Sequence, residues 1–119
     1  MSKSILLVED DTDVREALAY LLSDQGYDVA CAEDGQEALT YLHEGHKPAL
    51  ILLDLMMPRM NGFEFRAAQK REPELASIPV IVLSASGNVA ARTSGLDAAV
   101  ALEKPIAFEK LCRAIEQVA

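Results

Sequence analysis

Three stretches of the chain, Ile5 to Val8, Leu50 to Leu53 and Val80 to Leu83, are apolar at every position. A strand with one wet face alternates apolar and polar residues, so unbroken apolar runs of this length fit strands covered on both faces, as in a parallel sheet with helices above and below. Between the first two runs, Val14, Ala17, Leu18, Leu21 and Leu22 recur at i, i+3, i+4, i+7 and i+8, with Thr12 or Asp11 available as a cap and Gly26 as a stop. A second helix is expected over about Gly35 to Glu44 with Ala38, Leu39 and Leu42 inward, and a third from about Gly62 to Glu72, ended by Pro73. A last helix is expected over about Ala107 to Val118, with Phe108, Leu111, Cys112 and Ile115 on one face. The fourth helix, near Asn88 to Leu96, is flanked by Gly87 and Gly95 and offers few large apolar anchors, so it is expected to be the least stable element. Tyr27 to Ala32 and Val100 to Leu102 are shorter or less uniformly apolar and read as strands toward the sheet edges. Five βα units account for the 119 residues. The expected architecture is therefore α/β, a (βα)5 doubly wound parallel five-stranded sheet in the order 2-1-3-4-5, forming one domain over residues 1–119.

Charge narrows the function classes. Nineteen acidic residues against eleven basic ones give a formal net charge of −8, which repels nucleic-acid phosphates and anionic membranes. No direct contact with nucleic acid or membrane is expected. The apolar runs fall far short of the ~20 residues that a membrane-spanning helix requires, and Met1-Ser2-Lys3 does not open a signal-peptide pattern. A cytoplasmic protein is expected. Cys31 and Cys112 stand far apart among apolar neighbours, without CxxC spacing, and are expected to be buried, reduced thiols packing as small hydrophobes.

In doubly wound sheets ligands bind beyond the carboxyl ends of the strands, at the point where the strand order reverses, here between strands one and three. The residues ending the strands are Glu9-Asp10-Asp11, Asp54, Ser84 and Glu103-Lys104-Pro105. Adjacent strands lie about 4.8 Å apart, so Asp10 and Asp54 are expected to face each other with Glu9 close behind. Two unit charges 4 Å apart repel by roughly 4 kcal/mol at an effective dielectric near 20, and a cation should hold them. An oxygen-only donor set with no His or Cys suits Mg²⁺, which binds one or two carboxylates and keeps room for water and phosphate oxygens. Lys104 should start on the order of 10 Å from Asp54 by the same strand spacing, within reach of a long ammonium side chain.

At these positions the sequence resembles the receiver domains of response regulators. Glu9-Asp10-Asp11, the run Asp54-Leu55-Met56-Met57-Pro58-Arg59-Met60-Asn61-Gly62, Ser84-Ala85 and Lys104-Pro105 follow that family's signature in order, each at a strand end, across the whole chain. The resemblance implies a flavodoxin-like fold and a phosphorylation-activated signalling module. It implies that Asp54 is the phosphoryl acceptor, and that Glu9, Asp10, Asp54 and the backbone carbonyl of Met56 bind Mg²⁺. It also implies that Ser84 hydrogen-bonds the phosphoryl group and that Lys104 pairs with it. The donor would be a sensor histidine kinase or a histidine phosphotransfer protein. The output would pass through the face formed by the fourth helix, the fifth strand and the fifth helix to a downstream effector or output domain. The chain would act as a monomer or a weak phosphorylation-dependent dimer, and not as a turnover enzyme.

One position departs from the family pattern. Three residues before the conserved Lys, where an aromatic ring is usual, the chain carries Ala101. This motivates a second reading, a degenerate receiver that only binds protein, against which stands the presence of every residue that phosphorylation requires. A phosphatase using an aspartate nucleophile would carry a second Asp two residues on, where this chain has Met56. Plainer roles are expected elsewhere: Asp11 as a helix cap, His43 and His46 as cationic residues near a helix C-terminus, and Met56, Met57 and Met60 as loop packing.

Overall fold

The computed structural model describes residues 3–55, 60–84, 100–103 and 106–118, with the backbone alone at Ser84. Strands β1 (Ser4–Val8), β2 (Asp28–Ala32), β3 (Leu50–Asp54), β4 (Val80–Ser84) and β5 (Val100–Glu103) form one sheet in the order β2-β1-β3-β4-β5. Every pairing is parallel. The expected parallel five-stranded sheet and its strand order are thus the observed ones.

Successive side chains of a strand point to opposite faces, and here each face has its own core. Leu6, Val8, Ile51, Leu53, Val80 and Val82 pack on one side against α2 (Gly35–His43) and α3 (Gly62–Arg71). Ile5, Leu7, Leu50, Leu52, Ile81 and Leu83 pack on the other against α1 (Thr12–Asp24) and the C-terminal helix. This is why the three central runs carry no polar residue. The edge strand β2 is only partly covered, and β5 is half-buried along most of its length.

The helices begin and end for identifiable reasons. Asp11 caps α1, its side chain accepting from the Val14 amide at 3.1 Å, and Asp34 caps α2, accepting from the Glu37 amide at 2.8 Å. After α1 the chain reverses through Gly26, whose φ of 95° lies in the left-handed region that side chains disfavour. In α2 the buried residues include the expected Ala38, Leu39 and Leu42. In α1 the buried stripe is narrower than expected. Leu18 and Leu22 are buried and Val14 and Ala19 pack beside them, whereas Ala17 and Leu21 are exposed, because the contact with the sheet centres on the i, i+4 row of Val14, Leu18 and Leu22.

Pro73 ends α3 but also starts something unexpected. Glu72 is extended (φ −106°, ψ 110°), as a residue before proline tends to be, and a short helix α4 (Pro73–Ala76) opens with the proline in its first turn, where its missing N–H costs nothing. Two polar residues lie buried between these helices. Gln69 accepts from Arg66 Nη1 at 2.8 Å and donates to the carbonyls of Leu75 at 2.9 Å and Ile78 at 3.1 Å. The amide group therefore sews α3 to the turn that leads into β4.

The C-terminal helix α5 (Phe108–Val118) buries Leu111, Ala114 and Ile115, while Phe108 and Cys112 are half-buried. The thiol expectation needs correction: both cysteines are free, but Cys31 is exposed and Cys112 only half-buried. Cys31 sits on β2, an edge strand whose outer side pairs with no further strand among the described residues, and Cys112 lies at the margin of its helix's inward face. Partial burial pushes both thiols above their usual pKa. His43 sits in the last turn of α2, and its Nε2 also meets Glu72 Oε2 at 2.8 Å. His46 stacks on Tyr41 with ring centroids 4.1 Å apart. The fourth helix expected near Asn88 to Leu96 falls outside the described residues, as do Met56 and Met57 of the expected loop packing, whereas Met60 packs on the α2–α3 core. Among the described residues, no helix is long and apolar enough to cross a membrane.

The Gln69 seam sets a stability test. Replacing Gln69 with Leu removes the buried donor that Gln69 supplies to the Ile78 carbonyl, together with one of the bonds made by the Leu75 carbonyl and by Arg66, and an unsatisfied buried polar group costs about 1–3 kcal/mol. A fall in the urea midpoint corresponding to at least ~1 kcal/mol is expected, with the denaturant slope unchanged.

Candidate functional site

The register of the sheet builds the site. Val8 pairs with Leu53, so one further step along each strand brings Glu9 beside Asp54 at the C-terminal edge. The Glu9 amide still donates to the Ala32 carbonyl at 3.0 Å, which continues the sheet pattern by one residue and fixes where this acid stands. On the other side of β3, Asp54 pairs with Leu83, and the Leu55 amide donates to the Leu83 carbonyl at 3.2 Å. Ser84, the next residue of β4, pairs with Glu103, the last residue of β5 before Lys104.

Glu9, Asp10 and Asp54 converge. Each offers a carboxylate oxygen, and these oxygens all lie within 4.8 Å of one another. Glu9 and Asp54 are buried, at 0% and 3% exposure, while Asp10 faces solvent. Glu9 Oε2 also accepts from the Asp11 amide at 3.3 Å, so the start of α1 helps to orient it. Carboxylates at this separation repel by roughly 3–4 kcal/mol per charged pair at an effective dielectric near 20. Two of them are screened from water by the sheet, so the cluster is primed for a cation. Three oxygen donors with one side open to solvent match the chemistry of a hard divalent ion such as Mg²⁺ rather than that of a softer metal.

The chain beyond Asp54 is held by close backbone contacts. Gly62, the first residue of α3, donates its amide to the Leu55 carbonyl at 3.0 Å. A Cβ at this position would stand 2.7 Å from Leu55 Cα and 2.8 Å from the Asp54 carbonyl oxygen. The glycine eight residues after Asp54 is therefore a steric requirement of packing α3 against the end of β3. Asn61 and Glu64 fix the helix start reciprocally, the Asn61 side chain accepting from the Glu64 amide at 2.9 Å and Glu64 Oε1 accepting from the Asn61 amide at 3.1 Å. Gly35 plays a parallel part at the start of α2, donating to the Met60 carbonyl at 3.0 Å where a Cβ would meet that oxygen at 2.8 Å.

Of the residues singled out in the sequence, the structure brings Glu9, Asp10 and Asp54 together and sets Ser84 at the end of the adjacent strand. The Ser84 side chain, Met56 and Lys104 lie outside what is described. One residue near the site escaped the sequence reading. Arg15, on the first turns of α1, reaches back to the Glu9 carbonyl at 2.9 Å. A basic residue one helical turn past an acidic strand end, in a chain with a strong acidic excess, was the available signal.

A doubly wound parallel sheet whose order reverses beside three clustered carboxylates defines an α/β domain with one acidic, cation-suited site at its topological switch point. Comparison with known proteins narrows this to a family. A family model for the response regulator receiver domain matches residues 5–116, and the chain belongs to that family. Among curated relatives, the response regulator MprA of Mycolicibacterium vanbaalenii is 41% identical over 113 residues, covering 93% of this chain and 48% of that protein. MprA of Mycobacterium tuberculosis is 42% identical over the same shares. The chain thus spans about half the length of the curated relatives it matches. Among solved structures, the chemotaxis response regulator CheY4 of Vibrio cholerae superposes with a TM-score of 0.90 at 28% identity, over 100% of both chains. The response regulator TrrA of Thermotoga maritima, solved in complex with Mg²⁺ and BeF, gives a TM-score of 0.87 at 28% identity, covering 98% of this chain and 99% of that one.

The glycine contact carries a prediction. Gly62→Ala forces the Asp54–Leu55 backbone to move, and overpacking of this kind costs about 1–3 kcal/mol. Thermal unfolding should report that loss, and amide chemical shifts should move at residues 54 and 55 more than in α1.

Proposed function

We propose that this receiver domain, read as one unit over residues 1–119, accepts a phosphoryl group on Asp54 in a Mg²⁺-dependent reaction and signals by the change of shape that follows. What supports the reading above all is the convergence of Glu9, Asp10 and Asp54 at the point where the strand order reverses. Membership of the receiver family supports it as well, and so does the likeness to TrrA, a protein solved with Mg²⁺ and BeF. Glu9, Asp10, Asp54 and the backbone carbonyl of Met56 would hold the metal, which when bound supplies neutralising charge for the carboxylates and for phosphoryl oxygens.

The chain's own groups then divide the work. A carboxylate oxygen of Asp54 attacks phosphorus of a phosphohistidine in line, so a P–O bond forms as the P–N bond breaks and the departing imidazole nitrogen takes up a proton. The buried wall formed by β1, β3 and β4 fixes the nucleophile and keeps water from one side. The Ser84 hydroxyl would donate to a phosphoryl oxygen, and the Lys104 ammonium would pair with another. The donor is a sensor histidine kinase or a histidine phosphotransfer protein, and the recipient of the signal is a downstream effector or output domain. The receiver promotes its own phosphorylation and dephosphorylation and is not a turnover enzyme.

Ala101 bears on how the signal leaves. It is half-buried against the α2–α3 core and lines a cavity of about 240 Å³ together with Leu102, Glu103, Ile106, Ala107 and Lys110. With no ring at this position, switching must work through other groups on the same face. A module that only binds protein is the competing reading that this substitution favours.

Incubation with Mg²⁺ and acetyl phosphate followed by intact mass measurement decides between them. One phosphoryl adduct is expected, absent from Asp54→Asn and absent when EDTA replaces Mg²⁺; an unmodified wild-type chain would leave only the binding module. Mg²⁺ alone should raise the melting temperature by mass action, by an amount equivalent to about 1.4 kcal/mol at a tenfold excess over its Kd. Asp54→Asn should blunt that shift.

A further inference from the structure

We propose that Arg15 is a positioning residue for the acidic site, gripping the main chain that carries Glu9 and Asp10 so that their carboxylates are preset toward Asp54. The proposal rests on the metal-binding reading above. Its basis is the direction of the Arg15 contacts. Nη1 donates to the Glu9 carbonyl at 2.9 Å and lies 3.5 Å from the Asp10 carbonyl, while Nη2 stands 3.7 Å from Glu33 Oε1. The side chain is 13% exposed, against 59% for Glu33, so the guanidinium is largely enclosed and its carboxylate partner is not.

These contacts tie together three segments that meet behind the site. Arg15 belongs to α1, Glu9 and Asp10 to the chain leaving β1, and Glu33 to the turn between β2 and α2. That turn is already joined to the first segment, since the Glu9 amide donates to the Ala32 carbonyl. Glu9 is consequently held from α1 at two points: its carboxylate by the Asp11 amide and its carbonyl by Arg15. A planar guanidinium presents donors in two directions at fixed spacing, which an ammonium cannot do. Groups of this kind behind a metal site orient the ligands that touch the metal, and their loss typically weakens metal binding by 10–100-fold.

Arg15 also carries a positive charge close to the cluster, and a positive charge repels an incoming divalent cation. The two effects have opposite signs, so one measurement separates them. If Arg15 acts as a positioner, removing it weakens Mg²⁺ binding; if only its charge matters, removing it tightens binding.

The test is a Mg²⁺ titration of the 119-residue chain, followed by calorimetry and by amide chemical shifts, for the wild type, Arg15→Ala and Arg15→Lys. Arg15→Ala is expected to raise the Mg²⁺ Kd by about tenfold or more. Arg15→Lys, which keeps the charge and one donor, should fall between it and the wild type. A Kd unchanged or lowered in Arg15→Ala overturns the proposal, even if the metal-free melting temperature falls, because that pattern describes a purely structural arginine. If Arg15→Ala does not fold, Arg15→Lys decides alone, and a wild-type or tighter Kd overturns the proposal. A wild-type chain that binds no Mg²⁺ overturns the metal-binding reading itself, and with it this role, and is recognised before any variant is compared.

Discussion

Glu9 and Asp54 are carboxylates buried next to each other at the edge of a sheet whose interior is wholly apolar. Burial strengthens their repulsion and takes away much of their hydration, and a rigid frame holds them in place. That frame is the parallel pairing of β1, β3 and β4, which fixes the two acids side by side through backbone hydrogen bonds and encloses them with a core on each face. A hard cation is the kind of group whose charge would offset that repulsion.

The remaining features near the site reduce the freedom of the chain around those acids. Gly62 and Gly35 let two helix starts approach backbone more closely than any side chain would allow. The reciprocal Asn61–Glu64 cap fixes the direction in which α3 leaves. Arg15 grips the opposite loop by its carbonyls. Each device acts on main-chain position, and together they let short side chains meet with little room for error.

Much of this was legible in the sequence because the informative signals are periodic or compositional. Three all-apolar runs predict the central strands, their alternation with helices implies the doubly wound order and the edge at which chemistry collects, and the acids at positions 9, 10 and 54 follow from where those runs end. Less legible were features that depend on three-dimensional neighbours. The exposure of Ala17 and Leu21 reflects how narrowly α1 touches the sheet, which helical spacing alone does not reveal. Pro73 reads as a terminator but also serves as the first residue of a new turn, since the same locked φ suits both roles. Arg66 and Gln69 are polar residue types usually found at the surface, yet both are buried, Gln69 donating to two carbonyls of the following turn and accepting from Arg66. Cys31 looked like a core residue from its apolar neighbours, although its strand closes the sheet with a partly open face.

That open strand has a practical consequence for handling the protein. Cys31 is the more exposed of the two cysteine residues, and burial of its sulfur pushes its pKa up, which disfavours the nucleophilic thiolate. Alkylating reagents and oxidants should therefore act slowly at position 31. The rim of the sheet thereby carries a native attachment point for a spectroscopic label, reached more readily as rising pH frees the thiolate.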